Sequence, residues 1–146
     1  MDDLETMMYF GTRAIPALIA GFILGVERTM TKHPAGIKTI AFVSLGSCMF
    51  SSLAFYLHTL YPSTDPTRIV GQIITGVGFL GAGTIFHAKE KVNGLTSAAM
   101  IWTSCSFGVM AGAGLFWVPI FASGTLVVIM AVLKWVEKEL DPRDPT

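Results

Sequence analysis

Few residues in this chain can do chemistry, and most of them stand at the edges of apolar runs. Glu27 and Arg28 are adjacent at the end of the first run, and Lys38 closes the stretch Pro34-Ala-Gly-Ile-Lys38 just after it. Asp65, Arg68 and Gln72 open the third run, and Asn93, Thr96, Ser97 and Trp102 open the fourth. An acid beside a base at membrane depth is expected to turn into protein or a water-filled cavity and pair there. The alternative is interfacial: Arg28, Lys32 and Lys38 act as anchors and Glu27 stays solvated.

In the third run, Arg68, Gln72, Thr75 or Gly76, Phe79 and Gly83 share one helical side. Gln72 lies roughly 6 Å deeper than Arg68 at 1.5 Å per residue, so its amide needs a partner in lipid. That partner is either an interhelical hydrogen bond or a polar vestibule in which Asp65 balances Arg68. At the start of the fourth run, Asn93, Thr96 or Ser97 is placed to cap a helix. Trp102 sits deeper than an interfacial belt, so its indole N–H is expected to find a partner inside the protein.

The composition sets the class. Of 146 residues, 52% are hydrophobic and only 14% charged, against roughly 25% charged in soluble domains. This is one domain, with no room for a soluble module beside a bundle. The formal net charge of zero gives no basic surface for nucleic acid. Cys48 and Cys105 both lie within apolar runs, where cysteine behaves as a small hydrophobe. Without nearby histidines they complete no tetrahedral metal shell, so neither a metal site nor a cofactor is expected. There is no nucleophile motif and no carboxylate pair placed for acid/base work, which argues against an enzyme.

Stretches of about 18 apolar residues define transmembrane candidates. Five occur, at about 9–26, 40–60, 69–86, 95–113 and 116–133. The expected fold is an all-α integral membrane protein, a compact bundle of five transmembrane helices. The acidic amino end, with Asp2, Asp3 and Glu5, is unlike a signal peptide. Eight of the ten Lys and Arg residues (Arg28, Lys32, Lys38, Lys89, Lys91, Lys134, Lys138 and Arg143) fall on one side, leaving Arg13 and Arg68 on the other. The richer side is read as cytoplasmic, with the amino terminus outside and the carboxyl terminus inside. His33, His87, Lys89 and Lys91 gather at that surface, mostly as anchors, where an anionic lipid or a partner is a further option.

Glycine supplies the packing pattern. The third run holds Gly71, Gly76, Gly78, Gly81 and Gly83, which would weaken an exposed helix by about 1 kcal/mol each but lets helices approach closely in lipid. This places the third run at the centre of the bundle. Gly21 and Gly25, and Gly108 and Gly112, form further small-residue faces, the latter continued by Ser97, Ser104 and Ala111. Gly76-Val-Gly-Phe-Leu-Gly81 matches a dinucleotide fingerprint in form, but within a membrane span it lacks the strand before it and the acidic residue after it. No convincing internal repeat is present.

The motifs Gly21-Phe-Ile-Leu-Gly-Val-Glu-Arg28, Ala35-Gly-Ile-Lys-Thr39, Asp65-Pro-Thr-Arg-Ile-Val-Gly-Gln-Ile73, Gly76-Val-Gly-Phe-Leu-Gly-Ala-Gly83 and Val92-Asn-Gly-Leu-Thr-Ser-Ala-Ala-Met-Ile-Trp102 resemble the MgtC/SapB membrane proteins, in that family's order and spacing. The resemblance implies a bacterial inner-membrane protein, of a short form that ends near the last span without the soluble carboxyl-terminal domain of longer members. It further implies links to magnesium limitation, to virulence and to inhibition of the ATP synthase through membrane contacts. A scaffold does not fix a task. The leading expectation is a non-enzymatic regulator acting through helix contacts with membrane partners or with a second copy of itself in a homo-oligomer. The alternative is a transporter or channel for magnesium, another cation or protons.

Overall fold

The computed structural model describes residues 2–31, 33, 35–88 and 91–140. Five helices follow one another: α1 (Asp3–Met30), α2 (Ile37–Leu60), α3 (Pro66–Ala82), α4 (Leu95–Gly112) and α5 (Trp117–Leu140). Between α3 and α4 lies a small antiparallel hairpin, β1 (Phe86–Ala88) with β2 (Lys91–Asn93), in which Phe86 pairs with Asn93. The five helices are those expected of an all-α chain; the hairpin is a small addition between α3 and α4, and the third helix ends at Ala82 instead of Phe86. Helices α1, α2 and α5 are long and apolar enough to cross a membrane. With 17 residues, α3 spans about 26 Å, short of the roughly 30 Å hydrocarbon core.

Local chemistry explains the boundaries. Asp2 and Glu5 form a reciprocal capping box at the start of α1. Asp65 caps α3 by accepting from the Thr67 backbone N–H at 2.9 Å, and Pro66 follows where a missing N–H costs nothing. The expected side-chain cap on α4 does not form. Gly94 occupies the cap position at φ 88°, with no side-chain hydrogen bond, and a Cβ there would run into the Thr84 carbonyl. At the other end of α4, Gly114 at φ 91° closes a left-handed turn, with its N–H on the Ala111 carbonyl and that of Leu115 on the Met110 carbonyl.

The helices alternate in direction. Gly25 of α1 lies against Ile37 of α2, Gly81 of α3 against Ala98 of α4, and Arg13 of α1 reaches the last residue of α4. The packed centre is formed by α1, α2 and α4, with α3 laid against α2 and α4, and α5 against α1 and α4. This corrects the expectation that the third run is central. A Cβ at Gly108 would overlap the Ser44 carbonyl oxygen, and one at Gly112 the Ser51 hydroxyl. At Gly21 it would stand 2.9 Å from the Ala41 Cα, and at Gly25 2.7 Å from the Ile37 Cα. By contrast, Gly76 and Gly78 have nothing within 4 Å, and Gly83 meets only carbonyls of its own helix. Gly81 is the α3 glycine that faces a neighbouring helix: a Cβ there would stand 3.4 Å from the Ala98 carbonyl oxygen. The sequence pattern of small residues was the same in both regions; the difference lies in which face each helix turns inward.

Serine supplies the polar contacts of the centre. Ser44 donates to the Ala17 carbonyl at 2.8 Å and Ser104 to the Ile40 carbonyl at 2.7 Å, each across a helix pair and each fully buried. In a low-dielectric interior such bonds satisfy the hydroxyl while keeping backbones close. Cys48 and Cys105 are buried free thiols.

Candidate functional site

The ionic cluster stands at the end of the bundle where α1 finishes, α4 begins and α5 approaches its close. Arg28, in the last turn of α1, is 0% exposed. Its Nη2 donates to the Ser97 hydroxyl at 3.4 Å, and its Nη1 lies 3.9 Å from Glu27 Oε2. Glu27 is held mainly by α5, because Lys134 Nζ donates to its Oε1 at 2.6 Å. Arg28 Nε and Nη1, together with Glu27 Oε2, are buried without a hydrogen-bond partner among the described residues. A buried guanidinium left with free donors is costly unless something satisfies it.

Glu27 and Arg28 therefore turn inward, as one of the two sequence readings expected. Ser97 joins them. Lys38, by contrast, is exposed in the first turn of α2, and Thr96 is exposed in α4. His33, beside the cluster in the connection after α1, donates its backbone N–H to the Arg28 carbonyl at 3.0 Å. Partial burial lowers its imidazole below the usual value, helped by the positive charges of Arg28 and Lys134.

The second candidate group does not assemble around an ion pair. Asp65 spends its carboxylate on capping: Oδ1 accepts from both the N–H and the hydroxyl of Thr67, at 2.9 and 2.7 Å. The hydroxyl bond from Thr67, then the backbone one, lowers the Asp65 carboxyl below its ordinary range, with Arg68 contributing less. Arg68 and Gln72 are both exposed, and Gln72 lines an open groove between α2 and α3. Trp102 corrects another expectation. It is 54% exposed on the outside of α4, at a small pocket it lines with Ile74 and Met110, and does not face the interior. Asn93 ends β2, half-buried, instead of capping α4. Lys32, Lys89 and Arg143 lie outside the described residues, as do the side chains of His87 and Lys91, so the basic surface expected there is not described.

Two cations escaped the sequence reading except as charges to be counted. Lys134 is 107 positions from Glu27, a separation that no local pattern reports. Arg13 stacks its guanidinium on Tyr9, 3.5 Å from the ring centroid, and donates Nε to the Gly112 carbonyl at 3.2 Å. It thus places a cation at the carboxyl end of α4, where the helix dipole is negative. A lone arginine inside an apolar run was the available signal.

The cluster can hold charge and accept a hydrogen-bonding group at its free atoms. Among the described residues, no group of three or more His, Cys, Asp or Glu is placed to hold a metal ion.

The bundle of apolar helices, with small residues at its centre and an ionic cluster at one end, defines a membrane protein, and residues 15–139 match the profile of the MgtC family. The chain belongs to that family. It is 35% identical to Protein SapB of Bacillus subtilis (strain 168) over 133 residues, 86% of this chain and 57% of that protein. It is 35% identical over 128 residues to the "Putative magnesium transporter YhiD" of Escherichia coli (strain K12), 84% of this chain and 60% of that one. Against Protein MgtC of Brucella abortus (strain 2308) the identity is 35% over 118 residues, 81% of this chain and 48% of the other. The chain thus spans about half to three fifths of the length of these relatives. No solved structure matches it.

Proposed function

We propose that this is a non-enzymatic regulatory protein of the bacterial inner membrane, tied to magnesium limitation, that works by docking a transmembrane helix of another membrane protein. All five helices cross the bilayer in this reading, with the amino terminus outside. The observation that carries it is the outer face of α3. Gly71, Thr75, Gly78 and Ala82 recur there at three- and four-residue spacing, all exposed, with nothing within 4 Å of Gly71 or Gly78. Small residues on an outward face leave a bare backbone that a second helix can approach closely, which lipid does not need. The name of the Escherichia coli relative, "Putative magnesium transporter YhiD", supports the physiological context, and resemblance makes the membrane sector of the ATP synthase one partner to examine.

A photo-crosslinking residue at Thr75 tests this in cells grown at low magnesium. Crosslinks to a membrane protein from Thr75, and none from Phe121 on the exposed side of α5, are the expected result. Equal or absent crosslinking from both sites would overturn it.

A second reading, transport of magnesium or another cation, is favoured by the unpartnered atoms of Glu27 and Arg28 and by the name of the YhiD relative. Purified protein in liposomes, assayed for magnesium and proton flux, separates the two. Flux abolished by Glu27→Gln would replace the regulatory reading with this one.

A further inference from the structure

The groove between α2 and α3 lies on a different side of α3 from the glycine face, and the proposed function does not use it. It has a volume of about 620 Å³ and is walled chiefly by Phe42, Val43, Phe50, Ile73, Val77 and Leu80, with almost no polar surface. Two glycines create it: Gly46 on α2 and Gly76 on α3 both line it, and a Cβ at either would meet nothing within 4 Å. Side chains there would have closed the space at no steric cost. In a hydrocarbon environment an apolar groove this size does not stay empty, because its lining would forfeit dispersion contacts.

Length identifies what fills it. The groove runs from Thr39 to Phe50 along α2 and from Leu80 to Ile69 along α3, eleven residue steps on each, or about 16 Å. That is close to half of the roughly 30 Å hydrocarbon core, the depth of one leaflet. A transmembrane helix needs the full thickness and a width of about 10 Å, whereas one acyl chain needs only a leaflet. The two ends of the groove differ in charge. At the Thr39 end stand the exposed ammonium of Lys38 and the amino end of α2, whose cap Gly36 supplies no side-chain hydrogen bond. The amino end of a helix and an adjacent lysine together attract a phosphate. The far end is lined by Phe50 and Ile69, and the exposed Arg68 beside it is offset by the carboxylate of Asp65, which already caps the amino end of α3.

We infer that the α2–α3 groove binds one anionic phospholipid, an acyl chain along Gly46 and Gly76 and the headgroup phosphate at Lys38 and the start of α2. This matches an amphiphile in charge, polarity and length at once. It also gives the groove glycines a purpose that helix packing does not, since neither touches a helix.

The test uses the whole chain in nanodiscs of phosphatidylcholine doped with phosphatidylglycerol. Retained lipid is counted by native mass spectrometry after release into detergent. The wild type should keep one phosphatidylglycerol per protein. Gly76→Leu, which fills open space and so preserves the fold, should weaken retention by at least about tenfold, the equivalent of two methylenes no longer buried. Lys38→Gln should keep one lipid but lose the preference for phosphatidylglycerol. Equal retention by wild type and Gly76→Leu would overturn the inference. So would a wild type that keeps no lipid, or a groove variant that changes oligomeric state without changing lipid content, which would assign the groove to a second copy of the chain.

Discussion

Arg28, fully buried at the end of α1, reaches Ser97 in the first turn of α4 at 3.4 Å, 69 residues further along the chain. That contact fixes the ends of two antiparallel helices against each other. It also places the charge where, among the described residues, the neighbouring Glu27 at 3.9 Å opposes it directly. Lys134 completes the arrangement by holding Glu27 from α5.

The first prediction follows from that geometry. Arg28→Ala should lower thermal stability in detergent, by less than the roughly 3–5 kcal/mol of a broken buried pair, because Glu27 keeps Lys134. Ser97→Ala should cost only about 1 kcal/mol, since its bond is long. In a double-mutant cycle, Glu27→Gln and Lys134→Met should couple by about 0.5–1 kcal/mol, reduced by the part-exposure of Lys134. Glu27→Gln with Arg68→Ala should show no coupling, because the residues stand at opposite ends of the bundle. Strong coupling of that last pair would contradict the alternating helix directions.

The glycines should divide sharply. Gly108→Ala and Gly112→Ala force a methyl group into α2 at the Ser44 carbonyl and the Ser51 hydroxyl, so both should reduce the melting temperature, by the about 1–3 kcal/mol typical of overpacking. Gly78→Ala should be neutral or raise stability by up to about 1 kcal/mol, because the space is open and alanine favours helix. Melting curves of the three purified variants decide the matter. A destabilised Gly78→Ala beside an unaffected Gly108→Ala would return α3 to the centre of the bundle.

A pH dependence is expected from His33. Its folded-state pKa is depressed, so the native protein favours the neutral ring and the unfolded chain takes up the proton first as pH falls. The His33 contribution to stability is therefore full above about 6.5, the unfolded value, and declines as the pH drops below it. His33→Gln should flatten the melting temperature between about pH 7 and 5 relative to the wild type. An identical profile in both proteins would remove His33 from the electrostatics of the cluster.

The orientation is testable by labelling. Cysteines introduced at Thr31 and Thr64, both exposed and at opposite ends of α2, should react with an impermeant maleimide from opposite sides of the membrane, Thr64 from outside. The same number and spacing of apolar helices would be wrong as five spans if both reacted from outside.

Composition and apolar length were enough to determine a membrane protein with five helical segments, because a chain in lipid must satisfy its backbone internally and therefore writes long uninterrupted runs. The motifs around Glu27 and Arg28, around Asp65 and around Gly76 were enough to point to the family. Asp65 was legible only as a counter-charge to Arg68, and its role as the cap of α3 emerged with the helix itself. Helix facing was not legible. Gly76 and Gly108 are equally small residues in equally apolar runs, yet Gly108 lies under the Ser44 carbonyl while Gly76 borders an open groove. In a run that is apolar all round, periodicity carries no inward direction, so only the packing of α1, α2 and α4 decided which glycines are structural. Tertiary structure likewise joined Glu27 to Lys134 and Arg13 to Gly112, about a hundred residues apart, because a charge in low dielectric pairs with whatever the topology brings within reach.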